Sequence, residues 1–427
     1  MNIKLSLLAL FIISSLDATT IQEAVEQGIK SDPEILAEVA RYDGKKVSVS
    51  VAQSGYYPTV DLGAGIGWEE NDRENPKSIF VNTDYTRKEA SARLRQPLFE
   101  GFKTVSDVSR STADRDTVKY NLDTLGENKA LAIVKAYLNV LKAEEIIRLA
   151  ETNLQTHNDI FKSINQRYQQ GVSDKADLIQ IKGRVASAKT DLISAKNNAL
   201  DSKAIYLKVV GVEAKDLNDQ NAKDIIVPAS LEEAIATSTK ENPTMLAALK
   251  NIEVVKSQKD GTKSNYYPKF YGDLSANYKD DADGIEGYQE SYQAMLRMEW
   301  NIFNGFKEKN QAEIAQKEVF SATHKAADTK RQLVLETTLA WNAYKLIEEQ
   351  LVPLQEHVDY SKEAKQLYQE QYNVGRRSLI DVLNSQVEAF NAAKALIGSQ
   401  YDEVAAKYRV LNSIGTLNST LGVEMYK

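Results

Sequence analysis

The sequence predicts a mainly α-helical chain that carries four β-strands and is written twice, in the order helix, strand, strand, long helix, tight break, helix. Three observations predict it. Apolar residues recur at alternating steps of three and four over very long stretches, which is the seam of packed helices. Two segments after a Tyr-Tyr-Pro step, "SGYYPTVDLGAGIGWEE" (54–70) and "SNYYPKFYGDLSANYKD" (264–280), switch to a two-residue period. Segments of the first half return in the second.

The duplication sets the boundaries. "TIQEAVEQGIKSDPEIL" (20–36) matches "SLEEAIATSTKENPTML" (230–246), and Tyr57-Pro58 matches Tyr267-Pro268 at the same offset of 210 residues. "RLRQPLFEGF" (93–102) matches "RMEWNIFNGF" (297–306), and "QRYQQGVSDKADL" (166–178) matches "EQYNVGRRSLIDV" (370–382), both at an offset of 204. The six-residue difference falls between Pro58 and Arg93, where a surface loop tolerates deletion. The division expected is a first repeat over 19–211, a linker over 212–229, a second repeat over 230–415 and a tail over 416–427.

Ahead of the first repeat, residues 1–18 read as an export signal: Lys4, a short apolar stretch over 5–16, and Ala18 as the last residue before cleavage. That stretch is too short to span a bilayer, and no later run approaches the roughly 18 apolar residues a transmembrane helix needs. No Cys follows the signal, which argues against a lipoprotein.

Each repeat opens with a shorter helix (21–56 and 231–265), followed by a strand pair: about 59–68 with 87–97, and about 269–278 with 292–301. In the first strand Val60, Leu62, Ala64, Ile66 and Trp68 share one face, and Asp61, Gly63, Gly65 and Gly67 the other. The second pair alternates alike, with Phe270, Leu274, Ala276 and Tyr278 against Tyr271, Asp273, Ser275 and Asn277. Period two describes either a soluble sheet with one wet face or a transmembrane wall, apolar outside and polar inside. Export, the lack of a helical anchor and acidic loops at one end only favour the wall. Four strands cannot close a barrel, and lipid does not accept an open sheet edge, so a spanning sheet requires several copies of the chain.

The long helices follow, about 103–169 and 307–372. The first carries the stripe Ile133, Ala136, Val140, Ala143, Ile147, Ala150, Leu154, His157, Phe161, Ile164 and Tyr168. Some 65 residues make a rod of about 100 Å. Pro353 breaks the local rule by removing a backbone hydrogen bond, so a kink is expected there. Gly171 and Gly375 mark tight breaks, after which helices resume over 174–210 and 379–414.

Composition narrows the function. The chain has 427 residues, a net charge of −7, three histidines and no cysteine. No basic block invites nucleic acid. Thiol catalysis, disulfides and cysteine-bound metals are excluded. Nothing combines nucleophile, base and orienting group, so an enzyme is not expected, and neither is a cofactor or metal. His157 on the seam reads as a packed, neutral side chain. A soluble coiled-coil scaffold would account for the helices but not for paired strands recurring at matched places.

The duplicated plan, the two Tyr-Pro steps, "RQPLFEGF" (95–102), "NIFNGF" (301–306) and "YNVGRRSLIDVLNSQ" (372–386) resemble the TolC family of outer-membrane channel proteins. The resemblance implies one third of a trimeric 12-stranded β-barrel in the outer membrane, continued by a long α-helical barrel into the periplasm of a Gram-negative bacterium. It implies a homotrimer, a periplasmic adaptor (membrane fusion) protein, an inner-membrane transporter of ABC type, outer-membrane lipid, and an exported protein as cargo. "YYPTVDL" and "EASARLRQPLFEGF" are most similar to the type I secretion branch, with small-molecule efflux as the alternative. It implies a pore constriction at the helix tips, with Asp381 at the constricting position and Asn384 where the family has a second aspartate. Link positions fall at Asp177, Tyr372 and Arg377, and adaptor-facing tips at Gly171, Val172, Gly375 and Arg376. Trp68, Phe99, Phe102, Tyr278, Trp300, Phe303 and Phe306 become membrane-interface anchors. The residues themselves leave another reading open, since Ser378-x-x-Asp381 and Asp174-x-x-Asp177 also spell helix N-caps.

Overall fold

In a computed structural model, the chain is described over residues 19–74, 80–218 and 225–424. The export signal and part of the linker lie outside the described residues. The chain forms two compact units. One holds residues up to Val39, 122–243 and from Arg331 onward; the other holds Ala40–Asn121 and Thr244–Lys330.

The second of these units contains the sheet, β1 (Thr59–Glu74), β2 (Phe80–Phe99), β3 (Lys269–Ala282) and β4 (Ile285–Glu299), ordered β1-β2-β3-β4 and antiparallel throughout. One hairpin comes from each repeat, joined by the β2–β3 ladder from Lys88↔Asp280 to Phe99↔Phe270. The first hairpin is longer than its apolar alternation: past Trp68, pairing continues from Glu69↔Tyr85 to Glu74↔Phe80. Ladder hydrogen bonds join backbone groups and do not require an apolar face, so the side-chain pattern stops before the strand does. At the other end β4 closes at Glu299, which leaves Trp300 and Asn301 just beyond it.

Both shorter helices are broken, where continuous ones were expected. α1 (Ile21–Ser31) gives way to α2 (Pro33–Gln53), and α5 (Leu231–Glu241) to α6 (Pro243–Thr262). Proline cannot donate inside a helix but fits its first position, so Pro33 and Pro243 each start a new one. Asp32 caps the restart, its Oδ1 accepting from the N–H groups of Glu34 at 2.8 Å and Ile35 at 3.1 Å.

The long helices are α3 (Lys103–Gln169) and α7 (Lys307–Asn373), and α7 continues as helix through Pro353. They are followed by α4 (Lys175–Val210) and α8 (Leu379–Ile414), and the chain ends in the short α9 (Leu417–Thr420). In the first unit the α3 stripe is the core: Ile133, Ala136, Val140, Ala143, Ala150, His157 and Ile164 are all buried. Glu127 of α3, itself buried, accepts from the backbone N–H groups of Leu417 and Asn418, both at 3.0 Å, and so holds the start of α9. None of the described helices is long and apolar enough to cross a membrane.

Candidate functional site

The sheet has its polarity turned around relative to a soluble fold. Val60, Leu62, Ile66 and Trp68 on the even face of β1 are 65–80% exposed, and Tyr292 and Leu296 continue that face on β4 at 76% and 71%. The odd face holds most of the charges, while on the even face Lys88 pairs with Asp280 at 3.2 Å beside Ile66. Asp273, only 5% exposed, accepts from Arg95 Nε at 3.0 Å. Arg297 Nε sits 2.8 Å from its other oxygen as a charge contact rather than an aligned hydrogen bond. Arg95 also lies over the Tyr271 ring at 5.0 Å. Toward the hairpin ends Arg87 gathers Glu89 at 2.6 Å, Glu69 at 2.7 Å and Asp283 at 3.1 Å. Sequence reading missed these pairs. The signal was present, because Arg93, Arg95 and Arg297 share the face of Asp273, but the pairing needs the β2–β3 register.

Strand-to-helix returns are built alike in both repeats. Gly101 and Phe102 have φ of 63° and 67°, and Gly305 and Phe306 have 55° and 65°. A Cβ on Gly101 would stand 2.5 Å from the Ser264 carbonyl oxygen, so only glycine fits there. The turn sets Phe102 edge-on to Phe99 at 5.2 Å and to Tyr267 at 5.7 Å, and Phe306 edge-on to Phe303 at 5.5 Å. Phe102, Trp300, Phe303 and Phe306 remain largely exposed. Tyr278, 39% exposed, stacks on Tyr288.

In the other unit, the ends of α3 and α7 turn into α4 and α8 with the same backbone device. Val172 N–H donates to the Arg167 carbonyl at 2.9 Å and Gly171 N–H to that of Tyr168 at 3.0 Å. Arg376 N–H donates to Gln371 at 2.8 Å and Gly375 N–H to Tyr372 at 3.0 Å. Gly171 and Gly375 take φ of 73° and 75°, as this left-handed helix stop requires. The chain then restarts on an N-cap: Asp174 Oδ1 accepts from Asp177 N–H at 3.0 Å, and Ser378 Oγ from Asp381 N–H at 3.3 Å. Both capping readings therefore describe real contacts. Beneath the turns Ile164, Leu178, Ile181, Leu379 and Leu383 form a buried cluster edged by Phe161, Val185 and Tyr372.

Among the expected gate residues, Asp381 accepts from Ser378 Oγ at 2.8 Å and lies 3.7 Å from Arg377. The Ser378 hydrogen bond, more than the Arg377 charge, holds its carboxyl below the usual range. Arg377 also donates to Gln371 Oε1 at 3.0 Å and stacks over Tyr368 at 4.1 Å. Asp177 accepts from Ser173 Oγ at 2.9 Å, while Tyr372 lies under the Arg167 guanidinium at 5.3 Å. Asn384 accepts from Arg184 Nη2 of α4 at 2.7 Å. Val172 and Arg376 project into solvent. His157 is 1% exposed with an unpartnered Nδ1, and burial, assisted by the nearby Arg184 charge, pushes it below the ordinary imidazole range.

The outer membrane efflux protein profile matches residues 24–210 and 234–416, one match per repeat. The outer membrane efflux protein BepC of Brucella suis is 23% identical over 385 residues, covering 89% of this chain and 82% of its own. The outer membrane protein TolC of Vibrio cholerae is 21% identical over 414 residues, 95% of this chain and 92% of its own. The crystal structure of the outer membrane protein VceC from Vibrio cholerae superposes with a TM-score of 0.77 at 14% identity, covering 92% of this chain and 96% of that one. These are membrane channels rather than enzymes, and TolC-family channels are homotrimers that work with adaptor proteins and inner-membrane transporters. The chain belongs to the outer membrane efflux protein family: it is an outer-membrane channel subunit that extends into the periplasm.

Proposed function

We propose that three copies of this chain form the exit duct of a type I protein secretion system, receiving a polypeptide from an ABC-type transporter through a periplasmic adaptor. The observation that supports a duct most directly is the sheet: an apolar face left open from Val60 to Ile66, where the Lys88–Asp280 pair meets it, backed by charges that satisfy one another on the opposite side. Such a sheet suits lipid outside and water inside. Its β1 and β4 edges can be satisfied in lipid only by neighbouring copies. The type I branch is supported by the strand and return segments "YYPTVDL" and "EASARLRQPLFEGF". Small-molecule efflux is the second reading, favoured by the name of the BepC relative.

The closed end of the duct is assigned to the helix turns. Asp381 supplies an acidic constriction, Asp177, Tyr372 and Arg377 hold neighbouring helices together, and Gly171, Val172, Gly375 and Arg376 meet the adaptor. The aromatic residues at the strand ends and returns settle at the membrane interface, where amphipathic and aromatic rings are favoured. Removing the protein from its host should deplete a large protein from the culture medium. Loss of drug resistance with an unchanged secretome would favour small-molecule efflux instead. For the gate, Asp381→Ala should lower cation selectivity and divalent-cation block of the channel in planar bilayers. Unchanged values would remove Asp381 from the constriction.

A further inference from the structure

We infer that Arg184 is a gate residue: bonded across the two repeats to Asn384, it places an unneutralised cation beside the pore constriction and offsets the charge of Asp381. This rests on the reading of Asp381 as the constriction.

Four observations carry it. On α8, Leu379, Val382 and Leu383 are buried, so Asp381 and Asn384, three residues apart, share the opposite and accessible face. Arg184 reaches that face from α4, an element of the other repeat, with Nη2 2.7 Å from Asn384 Oδ1. Among the described residues no carboxylate comes within ion-pair distance of Arg184, whereas Arg377 on the neighbouring turn has Asp381 at 3.7 Å. The partner that Arg184 takes is a neutral amide, so its full positive charge stays at the constriction. An aspartate at position 384 would form an ion pair with Arg184 in place of this neutral bond.

Two consequences follow. Any separation of α4 from α8 must break the Arg184–Asn384 bond, which makes it a latch between the repeats. The electrostatic balance of the ring is also shifted, since each chain adds the cation at 184 to the Asp381–Arg377 pair.

Conductance of the purified full-length channel in planar bilayers tests this, with the reversal potential in a KCl gradient for selectivity and magnesium titration for block. Arg184→Gln should raise cation selectivity and lower the half-blocking magnesium concentration by roughly thirtyfold, the effect of one unit charge on a divalent cation at contact distance in water. Asn384→Asp alone should strengthen block to a similar extent, because the new acid takes up the Arg184 charge that had offset Asp381. In the Arg184→Gln background the same Asn384→Asp change should strengthen block further, and Arg184→Lys should leave block near that of the wild type. Comparable trimer migration in detergent ensures that each variant is assembled, and Arg184→Lys covers the case where Arg184→Gln does not assemble. Block left unchanged by both Arg184→Gln and Asn384→Asp would overturn the inference. If Asp381→Ala changes block but Arg184→Gln does not, Arg184 is excluded and the constriction stands. If Asp381→Ala also has no effect, the constriction reading falls first and takes this one with it.

Discussion

The sheet and the helix turns solve the burial problem in opposite senses. Beneath the turns Ile181 and Leu383 are fully buried while Arg377, Asp381 and Asn384 face water, the ordinary arrangement of a soluble fold. In the sheet Leu62 is 80% exposed and Asp273 is almost wholly enclosed by Arg95 and Arg297. The same chain therefore carries two polarity rules. Each region suits its own surroundings: apolar burial drives the helices together in water, whereas the open face of the sheet suits hydrocarbon and its charged face a wet interior.

The strongest way to break this comparison is to disturb the apolar face of each region. Leu62→Lys should prevent stable membrane assembly, because a lysine on the lipid side costs about 2–4 kcal/mol in every chain of the oligomer near mid-membrane. Loss of the heat-modifiable trimer band on detergent gels would show it, and normal assembly would mean that the face does not meet lipid. Ile181→Ala tests the opposite rule. It should leave assembly intact but loosen the turns by about 3 kcal/mol, read as faster proteolysis there.

A third experiment sharpens the helical side through pH. Burial pushes Glu127 up to about 7 despite the two backbone N–H groups that it accepts. Its folded pKa lies above the usual value, so its contribution to stability is full below about pH 4.5 and is lost as pH rises through 7. The difference is on the order of 3 kcal/mol. Thermal unfolding should therefore shift upward between pH 8 and pH 5 by more in the wild type than in Glu127→Gln. Equal shifts would show that Glu127 is not the titrating group. The smallest effect belongs to the caps. Ser378→Ala should cost about 1 kcal/mol and release Asp381 from its hydroxyl donor. The carboxyl should then titrate at higher pH, which the pH dependence of conductance would report.

Much of the fold was legible because its two periods are strong and each is written twice. The α3 stripe from Ile133 to Ile164 needed only the spacing of apolar residues, since a helix in water must bury one face. The turns were legible from Gly171 and Gly375, which alone relieve the left-handed stop. The breaks at Pro33 and Pro243 were also written in the chain. Amphipathic spacing continues across them while the backbone hydrogen bonding does not, so spacing alone predicts a continuous helix.

What the sequence determined by itself is everything governed by neighbours along the chain: the duplication, the helical stripe, the alternation of Val60 through Trp68, the caps at Asp174 and Ser378, and the glycine returns. Tertiary structure alone decided the contacts between distant segments. Asp273 is satisfied by Arg95 and Arg297 only through strand register, Glu127 finds the start of α9 some 290 residues away, and Arg184 meets Asn384 across the two repeats. The physical reason is that periodicity and capping are fixed within a few residues of backbone, whereas the partner of a charged side chain is set by how whole elements pack.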